Sequence, residues 1–288
     1  MKIGLLDIDS HNFPNLALMK ISAWHKSIND EVEMYNQMFE YDKVYASKTF
    51  TFSNDYFYPI NASEVIKGGF AYNNDVLPDY IEKIYPDYSL YKIQDTAYGY
   101  LTRGCPRNCE FCIVSQKEGM KSIKVANLKD FWNNQKHIKL LDPNLLACKD
   151  RYELLEQLQD SKAYIDFTQG LDIRFMNEKI AEYINKIKVK LLHFAWDNPN
   201  DEITYNKLKI CRDKLNYKYN QLAVYVLVNF NSTFEQDLDR VYKLKALDYN
   251  PYIMIYNKDN CEKKYKRLQR WVNNRYIFRS CEKFEDYK

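Results

Sequence analysis

Three of the chain's seven cysteines fall within one short stretch, Gly99-Tyr-Leu-Thr-Arg-Gly-Cys105-Pro-Arg-Asn-Cys109-Glu-Phe-Cys112. Three thiolates in one tight loop can bind three irons of a cubane iron–sulfur cluster, one soft sulfur to each metal. The fourth iron then has no protein ligand, so an exchangeable group can bind there and receive an electron. Gly104 permits a close backbone turn beside such a cluster. Cys109 and Cys112 form the C-x-x-C pair that usually converges on metal. Zinc is the competing occupant, but a closed zinc site takes four ligands, usually from two paired knuckles. The sequence has no second C-x-x-C and no H-x-x-x-H; Cys148, Cys211, Cys261 and Cys281 are isolated, as are His137 and His193.

The elements that must carry this loop are legible in the alternation around it. From Ala97 onward, strands are expected at Ala97–Arg103, Ile138–Leu141, Tyr164–Phe167, Val189–Phe194, Ala223–Val228 and Tyr252–Tyr256. Helical stretches lie between them near Leu128–Asn134, Tyr152–Gln159, Glu178–Ile187, Thr204–Leu215 and Phe234–Leu247. Strands rich in β-branched and aromatic residues, each followed by a helix, imply a parallel sheet. Six such units would form a partial barrel with its site at the C-terminal strand ends.

Ahead of it, residues 1–95 read as a small Rossmann-like α/β unit with a linker. Lys2–Asp7, Glu31–Tyr35 and Lys43–Ser47 are strands, and Ile66–Gly69 ends another. Pro14 opens a helix running to about Lys26, with Leu16, Met19 and Ala23 facing inward. Residues 73–95 carry one or two helical turns. The expected organisation is thus α/β throughout: residues 1–95, a barrel over 96–257, and a basic aromatic tail over 258–288 packed on it.

At 288 residues, with 46% hydrophobic and 28% charged, the chain can bury a large core and is not extended disorder. A net charge of +3 does not by itself announce a nucleic-acid binder. Asp7 and Asp9 interrupt the first apolar run, and no stretch reaches eighteen uncharged apolar residues, so no leader and no membrane span are expected. An odd cysteine count with three clustered fits a reducing cytoplasm better than a disulfide framework.

The pattern C-x-x-x-C-x-aromatic-C, on a loop after the first strand of a β/α series, resembles the radical S-adenosylmethionine superfamily. The resemblance is carried by Ala97–Gly119 and extends, as alternation, through Tyr256. The N-terminal unit is similar to a trimmed version of the cobalamin-binding-like domain that precedes the barrel in several branches. The chain as a whole is similar to compact radical enzymes of bacteria and their phages. The resemblance implies a 4Fe-4S cluster on Cys105, Cys109 and Cys112, with S-adenosylmethionine chelating the open iron. Reductive cleavage would then yield a 5′-deoxyadenosyl radical that abstracts hydrogen from a substrate. An electron donor such as flavodoxin or ferredoxin is implied as a partner. Phe111 occupies the aromatic position that packs by the adenine in the family.

Groups to hold S-adenosylmethionine are then expected at the strand ends beyond the cysteines. Asp142, with Asn144 second, is the candidate for the methionine amine, although the family's usual Gly-Gly-Glu is missing there; Gly68-Gly69 precedes the loop and cannot replace it. Arg174 could pair bidentately with the methionine carboxylate. Gln169 and Asp172 could reach ribose hydroxyls, Asp197 is a ribose or substrate acceptor, and Asn229 ends the fifth strand. Each of these residues has an ordinary alternative as a loop turn, helix cap or rim contact.

Two further features of the sequence bear on cofactor and partner. Asp9-Ser10-His11-Asn12-Phe13-Pro14 invites comparison with the D-x-H-x-x-G of cobalamin proteins, but Pro14 replaces the glycine and the unit is short, so no cobalamin is expected. Lys258–Arg279 carries eight basic residues against two acidic ones, interleaved with Tyr265, Trp271, Tyr276 and Phe278. Lys263, Arg267 and Arg270 would share a helix face. Such a face could grip a nucleic acid such as tRNA as the alternative substrate; more often the helix docks its Leu268 and Trp271 side on the protein. A non-catalytic metal-cluster module is the alternative from another class.

Overall fold

Four consecutive buried positions, Ile3 to Leu6, mark Lys2–Asp7 (β1) as a strand covered on both faces, as parallel sheets require. It is followed by α1 (Leu16–Ser27), β2 (Glu31–Met34), β3 (Tyr41–Ser47) and β4 (Ala62–Gly68). These strands stand in the order β2-β1-β3-β4, every pair parallel. The helix begins at Leu16 rather than at Pro14, because Asn15 is its cap and accepts the Leu18 N–H at 3.2 Å. Ile3, Leu5, Leu18, Ile21 and Ile81 form one core cluster. One turn of helix, α2 (Asp79–Glu82), a 3-10 turn at Tyr88–Tyr91 and a short strand, β5 (Thr96–Gly99), complete this run.

The computed structural model describes residues 1–10 and 13–288 and divides into two units, Met1–Gly99 with Lys129–Gln135, and Tyr100–Leu128 with Lys136–Lys288. His11, the residue compared with a cobalamin ligand, lies outside the described residues. Its neighbour Asp9 is buried and accepts the Thr49 and Phe50 N–H groups at 2.8 and 2.7 Å, a loop-fixing use of the carboxylate.

The second unit opens with β6 (Thr102–Arg103), α3 (Val114–Glu118) and β7 (Ile123–Lys124). It continues as β8 (His137–Leu140), α4 (Arg151–Ser161), β9 (Tyr164–Phe167), α5 (Glu178–Lys186), β10 (Lys188–Ala195), α6 (Glu202–Lys214), β11 (Leu222–Val228), α7 (Phe234–Ala246) and β12 (Asn250–Ile255). Strands β8 to β12 follow one another across a sheet in chain order, all parallel. The protein is therefore mixed α/β with parallel sheets. Register places Ile138 beside Ile165, Leu140 beside Phe167, and Phe194 beside Val224, and all six are buried.

Two expected elements come out differently. Ala97–Arg103 is not one strand, since Leu101 and Thr102 give their N–H groups to the Asp142 carboxylate. Thr102 and Arg103 instead pair antiparallel with Lys124 and Ile123. The stretch 128–134 holds only a 3-10 turn, Leu128–Asp130; Asn134 has φ +62°, and the Asn133 N–H goes to the Gln135 side chain.

The C-terminal residues are part of the second unit. Helix α8 (Lys263–Asn273) buries Tyr265, Leu268, Trp271 and Val272, and a last helix, α9 (Arg275–Ser280), buries Phe278. Asn273 accepts the Ile253 N–H at 2.8 Å and Gln269 donates to the Ile253 carbonyl at 3.0 Å, so side chains of α8 satisfy an edge position of β12. Among the described residues no helix is long and apolar enough to cross a membrane.

Candidate functional site

The cysteine loop is held by its glycine and by one acid. Gly104 has φ +85°, and a Cβ there would stand 2.2 Å from the Lys121 carbonyl oxygen, so only glycine fits. Glu118 accepts from the Gly104 N–H at 3.1 Å and from Arg103 at 2.7 Å. The Cys105 N–H bonds to Gly119, and the Cys112 N–H to Cys109. The Arg103 guanidinium also lies over the Tyr100 ring, 3.6 Å from its centroid.

Cys105, Cys109 and Cys112 are free, half-buried thiols lining one cavity of about 140 Å³. Its wall is completed by residues beyond the C-terminal ends of successive parallel strands: Asn144 after β8, Gln169 to Asp172 after β9, and Asp197 after β10. Burial, Asp197 and the other two thiols push the Cys109 thiol up, while Arg107 opposes them. A larger depression of about 590 Å³, around Tyr242, Lys245 and Glu282, carries none of these groups.

Among the described residues, no three His, Cys, Asp or Glu side chains are grouped to hold a single metal ion. A zinc ion needs that convergence. A cubane cluster instead takes thiolates spread around one space, each on a different iron. Cys105, Cys109 and Cys112 all line this one cavity, and three thiolates are the donor set such a cluster takes.

The expected S-adenosylmethionine ligands separate into those on the cavity and those beneath it. Phe111 lines the cavity and packs edge-on to Phe230 at 5.4 Å, which in turn meets Tyr256 at 4.7 Å. Gln169 is exposed at the rim, next to Gly170 with φ +87°. Asp197 faces the cavity; burial raises its pKa against the pull of Arg107 and Arg240. Asn144 is 1% exposed and reaches both Cys105 and Asp172.

Asp142, Arg174 and Asn229 do not reach the cavity as expected. Asp142 is buried, accepting from Thr102 N and Oγ1 at 2.6 and 2.7 Å and from Leu101 N at 3.2 Å. It fixes the approach to the cysteine loop rather than facing a ligand, and burial pushes its carboxyl up to about 6 despite those donors. Arg174 folds onto Asp172. Burial would raise the Asp172 pKa, but the Arg174 hydrogen bonds and charge, with Arg107, hold it below the ordinary range. Asn229 has φ +63° and bonds Asp237 and Tyr256. Behind it Arg240, paired with the buried Asp237, donates to the carbonyls of Trp196 and Leu227, tying together the ends of β10 and β11.

Three residues at or beside the cavity have no role in the sequence reading. Arg107 lines the cavity and acts on Asp172, Asp197 and Cys109; its signal was its place between the first two cysteines. His193 and Asp166, 3.9 Å apart, stand on the sheet face that also presents Ala195 to the cavity. His193 stacks on Tyr225 at 4.7 Å and bonds the Phe167 carbonyl, and burial lowers its pKa. Strand alternation could have placed His193 and Ala195 on one face.

No family model matches the chain, and no curated protein matches it in sequence.

Proposed function

We propose that this chain is a radical S-adenosylmethionine enzyme acting at the cysteine-lined cavity. The observation that carries the reading is the meeting of three thiols with groups from the C-terminal ends of β8, β9 and β10 around one cavity. Ligand sites of parallel α/β sheets lie at such ends. We read the second unit as a partial barrel, the first as the Rossmann-like attachment without cobalamin, and the setting as cytoplasmic.

Cys105, Cys109 and Cys112 would hold three irons of a 4Fe-4S cluster. Such a cluster, when bound, supplies the electron that cleaves S-adenosylmethionine into methionine and a 5′-deoxyadenosyl radical. The protein's part is to bind and orient. Arg107 is the cation on the cavity wall and is better placed than Arg174 to receive a ligand carboxylate, since Arg174 is held by Asp172. Phe111, backed by Phe230, offers a ring for the adenine, and Gln169 and Asp197 offer polar atoms for ribose or substrate. Flavodoxin or ferredoxin would supply electrons. The substrate stays unassigned. Of the four aromatics interleaved in the basic tail, Tyr265, Trp271 and Phe278 are buried and Tyr276 is exposed, and we keep a nucleic acid as the weaker alternative.

Anaerobic reconstitution tests the reading. The protein should turn brown and bind about four irons per chain. With dithionite and S-adenosylmethionine it should release 5′-deoxyadenosine. Replacing Cys105, Cys109 and Cys112 by Ala should abolish both, whereas Cys211→Ala and Cys281→Ala should not. A colourless, zinc-only protein refutes the reading; a full cluster whose spectrum ignores saturating S-adenosylmethionine leaves a cluster module and no radical enzyme.

A further inference from the structure

We propose that Asn144 sets the reduction potential of the cluster by donating an amide N–H to the sulfur of Cys105; this rests on the cysteine loop being a cluster site. Asn144 Nδ2 lies 3.4 Å from Cys105 Sγ and 3.2 Å from Asp172 Oδ2. The two amide hydrogens therefore have one acceptor each. The other end of the amide is also occupied, since Oδ1 accepts the Ala147 N–H at 3.3 Å. This network decides which way the amide faces. With the oxygen on a backbone donor, the NH₂ must point at the sulfur and the carboxylate.

The orientation is braced from further out. Asp172 is held by two hydrogen bonds from the Arg174 side chain, and the backbone carbonyl of Asn144 accepts from Ser122 Oγ at 2.8 Å. The contact thus lies at the end of a relay, Arg174 to Asp172 to Asn144 to Cys105, drawn from two strand ends and the cysteine loop. Capping the 3-10 turn Leu145–Ala147 needs only Oδ1. The placement of the NH₂ group is additional to that role.

A thiolate bound to iron keeps lone pairs that accept hydrogen bonds. An N–H donor there withdraws charge from the cluster and favours the state carrying the extra electron, so the potential rises. Asn144 is a positioning residue in this sense. It touches a ligand of the cluster and need not touch substrate.

The test is an EPR-monitored redox titration of the reconstituted full-length protein without S-adenosylmethionine, so the readout is a potential and not turnover. Asn144→Ser keeps an oxygen for the Ala147 N–H and removes the donor to Cys105. Asn144→Asp keeps the shape but sets a second carboxyl beside Asp172, so one of the two takes up a proton, and it serves as the control for the size of the side chain. Both variants should bind as much iron as the native protein, and Asn144→Ser should titrate at more negative potential. An unchanged potential at full iron content overturns the proposal, and so does loss of iron from both variants, which would make Asn144 purely structural. A native protein that binds no cluster fails before any variant is compared, which identifies the reading of the cysteine loop as the error and takes this proposal with it.

Discussion

Arg174 closes on Asp172, two residues before it in the chain, with Nε 2.9 Å from Oδ1 and Nη2 2.7 Å from Oδ2. The fork occupies both oxygens of a carboxylate that is only 7% exposed. Arg174→Ala would leave that carboxylate buried with Asn144 as its remaining side-chain donor. The expected loss is about 1–3 kcal/mol of stability, measured by denaturant unfolding. The Asp172 pKa is depressed in the fold, so its contribution is present above the ordinary carboxylate pKa and lost as pH falls through the folded value. Acid unfolding of Arg174→Ala should accordingly begin at higher pH than in the native chain. Identical acid midpoints would mean that the pair contributes nothing.

Asp142 has the opposite sign. Its folded pKa is raised to about 6, so the fold favours the protonated acid. The contribution is full below pH 4 and disappears as pH rises through 6. A rise of that size from the ordinary value is worth about 3 kcal/mol. Asp142→Asn, which cannot ionise, should flatten the fall in stability between pH 4 and 6.5, as measured by urea unfolding across that range. A variant with the native pH profile would place the titration elsewhere.

Gly104 and Gly119 share a positive φ, +85° and +92°, but not their surroundings. Alanine at Gly119 meets nothing within 4 Å and should cost about 1–3 kcal/mol from backbone strain alone. Alanine at Gly104 adds a collision with the Lys121 carbonyl and must displace the start of the cysteine loop. Gly104→Ala should therefore lower iron incorporation as well as thermal stability, whereas Gly119→Ala should retain iron. Equal iron content in the two variants would contradict this distinction.

Trp271 is fully buried, donates Nε1–H to the Cys281 carbonyl at 3.2 Å and packs against Phe278 and Phe284. Trp271→Ala should cost about 3–5 kcal/mol. The exposed Lys263 and Arg270 should tolerate Glu within about 0.5 kcal/mol. Arg267 differs from both, lying over Phe284 and bonding the carbonyls of Phe284 and Tyr287, so Arg267→Glu should be destabilising. If the segment instead gripped a nucleic acid, changing the exposed Lys263 and Arg270 to Glu would weaken a steeply salt-dependent affinity while the fold stayed intact.

The cysteine spacing, the positions of β8 to β12 and their parallel pairing were legible in the sequence, because they depend on local patterns. Cysteine order is printed in the chain, and a buried strand followed by an amphipathic helix announces itself within about twenty residues. Tyr164–Phe167 has the same bounds in sequence and structure. The uses of the polar residues at the strand ends were not legible. Asp142, Asn144, Asp172 and Arg174 all follow strands as ligand-binding groups should, and composition cannot distinguish a carboxylate facing a cavity from one accepting backbone N–H groups. That depends on what folding brings opposite each one. For Asp142 it is the backbone of Leu101 and Thr102, some forty residues away in sequence. For Arg174 it is a neighbour two residues off whose burial requires a cation, and for Asn144 it is a cysteine sulfur from another loop. Periodicity determined which elements form; only tertiary packing decided which donors remain for a ligand, because a hydrogen bond made within the fold is unavailable to anything that binds later.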